Sequence, residues 1–481
     1  METAGLVKSF KLAAHLLKLN AEFSICGRHV NRLTNEIGAE LEQARDQRTE
    51  DYVHHRRKPP ATPSPERVSA SVDGGRINTR QPGCGVGVHE AGWREDKVAS
   101  LQVLEGPSFV EDPHPEPPQC FLDQEHVKEM VKDFQQQKEL RDYDEPEPEP
   151  EEGPAPDSTI LPPGGTDPPV CGPAVAVAPA AEPPPAAEPP DPTFLSPRGT
   201  DPPVCGPAVA VAPEAVFPPP VEELSPAGEP PARPLLAAPA PSEECEWPPQ
   251  RKDRTCIASL ANSRTFGKMV AAEVYARGFL KAVDRAFLGD GLAYNWKIQE
   301  QWLADFTPIL DFVHPLSYLY AAAGVLSANE AQRWERYVRW MTASWQGRVS
   351  EVLTELRQEQ AELHRRLGEP EGKMSANDPR EVLRRTVNYL ANNASRMDYP
   401  KYRQRGLPVT SAAVESLIKE FNYRVKGTER FWNRPEGGEA ILQVRAAVLS
   451  EDGRLEKHIL SRPGQTSRRK NAKAAQQGEA A

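Results

Sequence analysis

Residues 285–312 read RAFLGDGLAYNWKIQEQWLADFTPILDF, and this stretch decides the fold class. Five apolar-rich residues, 285–289, end at Asp290-Gly291. A helical run over 292–306 follows, and a second short apolar segment, 307–312, closes it before His314. Strand, helix, strand within about thirty residues is the pattern of a βαβ unit, so the spacing predicts an α/β domain with parallel strands.

Working outward, residues 68–79 (VSASVDGGRINT) alternate with period two and contain Asp73-Gly74-Gly75, which predicts a first strand. Residues 85–104 contain two further extended runs separated by a polar turn around Arg94 to Asp96, a hairpin that would complete three strands in order. Downstream, 316–396 is helical throughout and carries Trp334, Trp340 and Trp345. A later helix over 411–425 contains Glu415. Upstream, Leu12, Leu16, Leu17 and then Val30, Leu33, Ile37, Leu41 recur at three and four, broken at 23–27. Two helices about such a turn fit a helix-turn-helix presenting Arg28, His29, Asn31 and Arg32 to DNA, or a helical hairpin packed on the main domain.

Composition confines the folded part. Of the 51 prolines, 37 fall in residues 111–250, with 6 basic against 28 acidic residues. Such a segment lacks the apolar surface to offset its ordering entropy, and its prolines forbid helix and central strand. Within it GTDPPVCGPAVAVAP at 165–179 recurs letter for letter at 199–213, a duplicated linker, since stacked repeat folds need about three units. One island, around 123–140, predicts a short helix capped by Asp123. The net charge of −11 therefore belongs to the insertion and the remainder is mildly basic, so an acidic average does not exclude a polyanionic partner. Seven cysteines without a Cys-x-x-Cys pair argue against a zinc site or a disulfide framework. The absence of a long apolar run or a leader-like N-terminus predicts a cytoplasmic protein with no membrane segment.

Three carboxylates, Asp73, Asp290 and Glu415, sit where site residues gather. Two are at strand ends before glycine, where ligands of α/β sheets bind and where a missing Cβ lets a substrate backbone approach. Converging, they would hold a pair of Mg²⁺ ions (Mn²⁺ serving as well) and support in-line phosphoryl displacement. Taken singly, Asp-Gly is more often a turn and a helical Glu is usually solvated, so the ordered set carries the information.

In that order the motifs resemble the DDE insertion-sequence transposases, specifically the ISKra group. SVDGGRINTR (71–80) with GWREDKVA (92–99), FLGDGLAYNWKI (287–298) with ILDFVHPLSYL (309–319), and the block over 407–455 that begins LPVTSAAVESLIKEF carry the likeness, which covers roughly 1–120 and 255–460. The resemblance implies an RNase H-like α/β catalytic domain with an all-α insertion and N-terminal helices; the long disordered Pro-rich loop, read from composition, is where the chain departs from the group's usual pattern. It implies Asp73, Asp290 and Glu415 as the metal-binding triad. Activity would be DNA cleavage and strand transfer at element ends. A catalytically inactive or repurposed DNA-binding derivative and an RNase H-like nuclease are the alternatives. Asp311-Phe312-Val313-His314 matches an Asp-x-x-His that follows the second strand in related groups; helix capping, core hydrogen bonding and DNA contact are all open to it.

The expected organisation is an N-terminal helical region over 1–57, a first part of the catalytic domain over 66–110, the acidic insertion over 111–254, and a second part over 255–315. The all-α insertion (316–400), a C-terminal catalytic helix region (401–455) and a basic disordered tail (456–481) follow. The partner would be double-stranded DNA, both terminal inverted repeats and target, bound by a homodimer or higher synaptic oligomer in a bacterial, nucleoid-associated setting. Arg403, Arg405, Lys419, Arg424, Lys426, Arg430 and Arg434 around Glu415, His314, and Arg468, Arg469 and Lys470 in the tail are candidates for phosphate contact. Lys419 and Arg430 fit a solvated helix face equally well. The three tryptophans fit a helical core, with base stacking as the alternative.

Overall fold

The computed structural model describes residues 1–58, 64–79, 92–142, 248–368, 372, 374–410, 412–425, 432 and 435–463, with the backbone alone for 135–142, 412–415 and 418. Both copies of the duplicated segment, Lys426, Arg430, Arg434 and residues 464–481 lie outside the described residues; the start of the expected disordered tail, 456–461, is instead helical.

Three helices open the chain: α1 (Glu2–Leu6), α2 (Phe10–Ala21) and α3 (Gly27–Val53). Strands β1 (Arg67–Thr79) and β2 (Gly92–Glu105), helix α4 (Gln124–Asp142), and strand β3 (Gln250–Ser259) come next. Then follow α5 (Ser263–Ala276), β4 (Asp284–Gly289), α6 (Ala293–Trp302) and β5 (Thr307–Leu310), the expected βαβ unit. The helical layer is α7 (Val313–Leu326), α8 (Glu330–Trp345), α9 (Val349–Leu367), α10 (Pro379–Asn393) and α11 (Tyr399–Gln404). The last helices are α12 (Ala412–Val425), α13 (Pro435–Leu449) and α14 (Arg454–Ser461).

The strands form one mixed sheet in the order β3-β2-β1-β4-β5. Strands β1, β2 and β3 pair antiparallel, while β4 runs parallel to β1 and β5 parallel to β4. Period-two alternation sends Val68, Ala70, Val72, Ala99 and Leu101 to one face, where α5, α6 and the helical layer build the larger core. Ile77, Val98, Cys256 and Ala258 point the other way and meet Leu417, Phe421 and Val425 of α12 and Ile441, Leu442 and Ala446 of α13. Helices thus cover both faces, as a sheet apolar on both sides requires. Trp340 and Trp345 are buried in the helical layer, so of the two uses of the tryptophans these two serve the core.

Two expectations about the strands need correction. No turn occurs at Arg94 to Asp96: β2 runs straight through them, with Ile77, Arg76 and Gly75 of β1 opposite. The third strand is instead β3, beyond the acidic insertion. Its first half, QRKDRT, is too charged to read as a strand, yet charge is how an edge strand avoids pairing with another chain. The boundaries of the insertion shift accordingly. Residues 111–142 belong to the fold, since Phe121, Val127 and Val131 join the main core, and Asp123 caps α4 by accepting from the Glu125 and His126 amides. Order returns with Gln250, ahead of 255.

Helices α2 and α3 form the helical hairpin that packs on the domain. Val30, Ile37 and Gly38 are buried, the Cα of Gly38 lies against the Ala440 backbone of α13, and Arg45 donates to Glu439 at 2.6 Å. Among the described residues no helix is long and apolar enough to cross a membrane, and Cys26, Cys120 and Cys256 are free thiols.

Candidate active site

Strand register brings the first two site residues together. Ser71 pairs with Leu288 in the parallel β1–β4 ladder, so two residues further Asp73 comes level with Asp290. Gly289 pairs with Leu310 between β4 and β5, so one residue further Asp290 comes level with Asp311. Three carboxylates therefore stand level on three adjacent strands, each about 4.8 Å from the next in backbone spacing; Asp290 and Asp311 lie just past the ends of β4 and β5, but Asp73, expected at a strand end, lies inside β1, which stays paired with β2 as far as Thr79. The carboxyl ends of β4 and β5 are the edge at which α/β sheets bind ligands.

Each carboxylate is held by its own chain. Asp73 accepts from the Gly74 amide at 2.7 Å. Asp290, 9% exposed, accepts through one oxygen from the Leu292 amide at 2.9 Å and from Asn295 Nδ2 at 2.8 Å, which starts α6. Asp311, fully buried, accepts from the Val313 amide at 3.1 Å and lies 3.6 Å from His314 Nε2. The Asp-x-x-His pair thus opens α7, with the His314 ring against Phe134 at 4.8 Å between centroids. Of the roles open to this pair, helix capping and a core contact are the ones these distances describe.

The neighbouring glycines have a different reason from the one the sequence suggested. A Cβ on Gly74 would lie 2.8 Å from Glu95 Oε1 and 3.2 Å from the Tyr294 hydroxyl, and one on Gly75 would lie 2.9 Å from both oxygens of Asp96. Room for these β2 carboxylates is what the glycine pair provides. Lys97, opposite Gly74 and largely buried, donates to Glu95 at 2.7 Å and faces the Tyr294 ring at 5.7 Å. Glu95 and Asp96, expected from sequence to lie in a turn, and Lys97 after them thus stand in β2 opposite Arg76, Gly75 and Gly74.

Glu415 lies in α12, whose Leu417, Phe421 and Val425 pack on Ile77 and Val98, the same sheet face that carries the odd-numbered residues of β1. Its side chain lies outside the described residues. Among the described residues no three His, Cys, Asp or Glu side chains are grouped closely enough to hold a metal ion.

Several basic candidates are structural. Arg403 is fully buried, bonded to Asp112 at 2.8 and 2.5 Å and to the Trp345 carbonyl at 3.1 Å, so it cannot meet a phosphate. Arg405 reaches Asp284 and Thr307, the first residues of β4 and β5, and so lies at the amino end of the sheet, away from Asp290. Arg424 is buried between the Ala4 carbonyl and the rings of Phe10 and Trp432. Guanidiniums read as a DNA-facing cluster here tie helices together, which burial decides and spacing does not. Lys419 is exposed, as are Arg28, His29 and Arg32 on the first turns of α3; Asn31 is half-buried, and Arg32 pairs with Glu36 at 3.2 Å.

Two residues at the site were missed by sequence reasoning. Asn295 orients the Asp290 carboxylate, and the Tyr389 hydroxyl of α10 donates to the Asp290 carbonyl oxygen at 2.8 Å. Asn295 sits five residues from its partner and was within reach of local reasoning; Tyr389 is 99 residues away.

No family model, curated protein or solved structure matches this chain.

Proposed function

We propose that the chain is a DDE-type insertion-sequence transposase with an RNase H-like core, which cleaves DNA at element ends and joins the 3′ hydroxyl to a target phosphodiester. The observation that carries this reading is the register of β1 and β4, which sets Asp73, within β1, level with Asp290, just past the carboxyl end of the adjacent parallel strand β4. A three-stranded antiparallel meander continued by two parallel strands, with α12 bearing Glu415 packed on β1, supports it.

The donor set suits a hard cation. Neighbouring carboxylates are the ligands Mg²⁺ takes while keeping positions for water and phosphate. Asp73 and Asp290 would hold it, with Glu415 as the third donor. When bound, Mg²⁺ would activate the attacking hydroxyl or water and stabilise the leaving oxygen. The protein's own part is orientation: the Leu292 amide and Asn295 aim the Asp290 carboxylate, and the Gly74 amide holds that of Asp73. Arg28 and Arg32 on the N-terminal hairpin and Lys419 on α12 offer exposed cationic groups for duplex phosphates, with the exposed His29 ring beside them.

The test is Mg²⁺-dependent cleavage and joining of a DNA fragment carrying the repeats that flank the gene, wild type beside Asp290→Asn. Asparagine retains the oxygen that accepts from Leu292 and Asn295, so the fold is kept. Activity should fall about a thousandfold, roughly 4 kcal/mol of barrier, with DNA binding retained. Equal loss of binding and cleavage would overturn the proposal, and a wild type that binds the repeats without cutting them would point to a repurposed binding protein.

A further inference from the structure

We infer that Tyr389 is a positioning residue for Asp290, through which the helical layer sets the geometry of the candidate metal site. The inference rests on the proposed function and deepens it.

The turn after β4 is held on two sides. On one side Leu292 and Asn295 fix the Asp290 carboxylate. On the other, the Tyr389 hydroxyl bonds the Asp290 carbonyl oxygen at 2.8 Å, and the Tyr389 ring stacks on Tyr318 of α7 at 4.1 Å with planes 12° apart. Gly291 has φ +96°, and a Cβ there would lie 2.6 Å from the Tyr389 ring. A glycine is therefore required twice over, by backbone conformation and by the ring that closes over it. The Tyr389 phenol stays a neutral donor, because desolvation of the hydroxyl, with the Asp290 charge next, holds its pKa well above the usual tyrosine value. Asn393 Nδ2 bonds the Tyr389 carbonyl at 2.9 Å within α10. One stacked tyrosine pair thus joins α7 and α10 to the backbone of the second carboxylate.

A side chain that orients a metal ligand from behind matters for affinity about as much as many ligands do, with losses of about 10- to 100-fold on mutation. Tyr389→Phe keeps the stacked ring and removes only the hydroxyl. Tyr402→Phe is the matched control: Tyr402 is buried in the same layer and its hydroxyl bonds the Pro308 carbonyl at 3.4 Å, away from Asp290. Mn²⁺ binding to the full-length protein, followed by the loss of the free-ion electron paramagnetic resonance signal, is measured beside thermal melting. Tyr389→Phe should weaken Mn²⁺ by about tenfold and raise the Mg²⁺ half-saturation of cleavage by the same factor, whereas Tyr402→Phe should leave both unchanged. Mn²⁺ affinity in Tyr389→Phe equal to wild type, or an equal loss in both variants, would overturn the inference while leaving the proposed function standing. A wild type that binds no Mn²⁺ would overturn both.

Discussion

The two ends of the central sheet treat charge in opposite ways. At the carboxyl end of the parallel strands, Asp73, Asp290 and Asp311 stand level on neighbouring strands. At the amino end, Arg67 of β1 and Arg405 both meet Asp284 of β4. There a cleft of about 990 Å³ is walled by a closed network in which Glu273 meets Arg277 at 3.1 Å and Arg454 at 2.7 Å, and Arg454 also meets Asp452 at 2.7 Å. Opposite charges in alternation repay much of one another's desolvation in a nearly buried site, so that removing one partner costs more than the pair is worth. The ends thus differ in groups seen beside their carboxylates: guanidiniums at the amino end, and at the other the Gly74 and Leu292 amides, Asn295 and His314.

The largest effect that would sharpen this contrast is the thousandfold loss of cleavage expected for Asp290→Asn, with no loss of folding stability. A comparable loss from a substitution at the amino end would erase the distinction. Next comes Glu273→Gln, which removes the carboxylate shared by Arg48, Arg277 and Arg454, the last two keeping Asp452. It should cost about 3 kcal/mol in urea unfolding and leave Mn²⁺ binding untouched.

The same glutamate predicts a pH dependence. Burial raises its pKa, but the charges of Arg454, Arg48 and Arg277 together outweigh burial and hold it below the usual carboxylate range. A depressed folded-state pKa contributes stability that is present above the unfolded value and is lost as pH falls through the folded one. The gap in melting temperature between wild type and Glu273→Gln should therefore be full at neutral pH and narrow progressively below about pH 4. A gap that widens in acid would contradict the assignment.

The smallest effect is at the carboxylate end. Asp73→Asn keeps the oxygen that accepts from the Gly74 amide and should leave stability within about 0.5 kcal/mol of wild type while cleavage is lost. A destabilised Asp73→Asn would mean that this end is balanced too, and the contrast between the ends would fail.

Much of this architecture was legible locally. The βαβ run around Asp290 was marked by apolar segments bounded by Asp-Gly and by helical periodicity, and β1 by strict alternation. What local reasoning missed was polar sequence in strand conformation. Arg94 to Asp96 reads as a turn, and 250–255 as linker, because charge is ordinarily a loop signal. In the fold, Asp96 is accommodated by Gly75 across the ladder, and β3 is an edge strand whose first half tolerates solvent. Neither fact is contained in the segment itself. The basic cluster failed for a related reason. Arg403 and Arg424 are long side chains whose burial depends on Asp112 and Ala4, each several hundred residues away.

Sequence alone determined the α/β class, the helical layer, the two N-terminal helices about a short break and the choice of Asp73 and Asp290 as candidates, because periodicity and turn chemistry act over a few residues. Only the tertiary structure decided that these two aspartates are level with each other and with Asp311, that Arg403, Arg405 and Arg424 serve packing, and that Tyr389 grips the Asp290 turn. Register, burial and contacts across a hundred residues follow from how the elements close on one another, and no single segment encodes them.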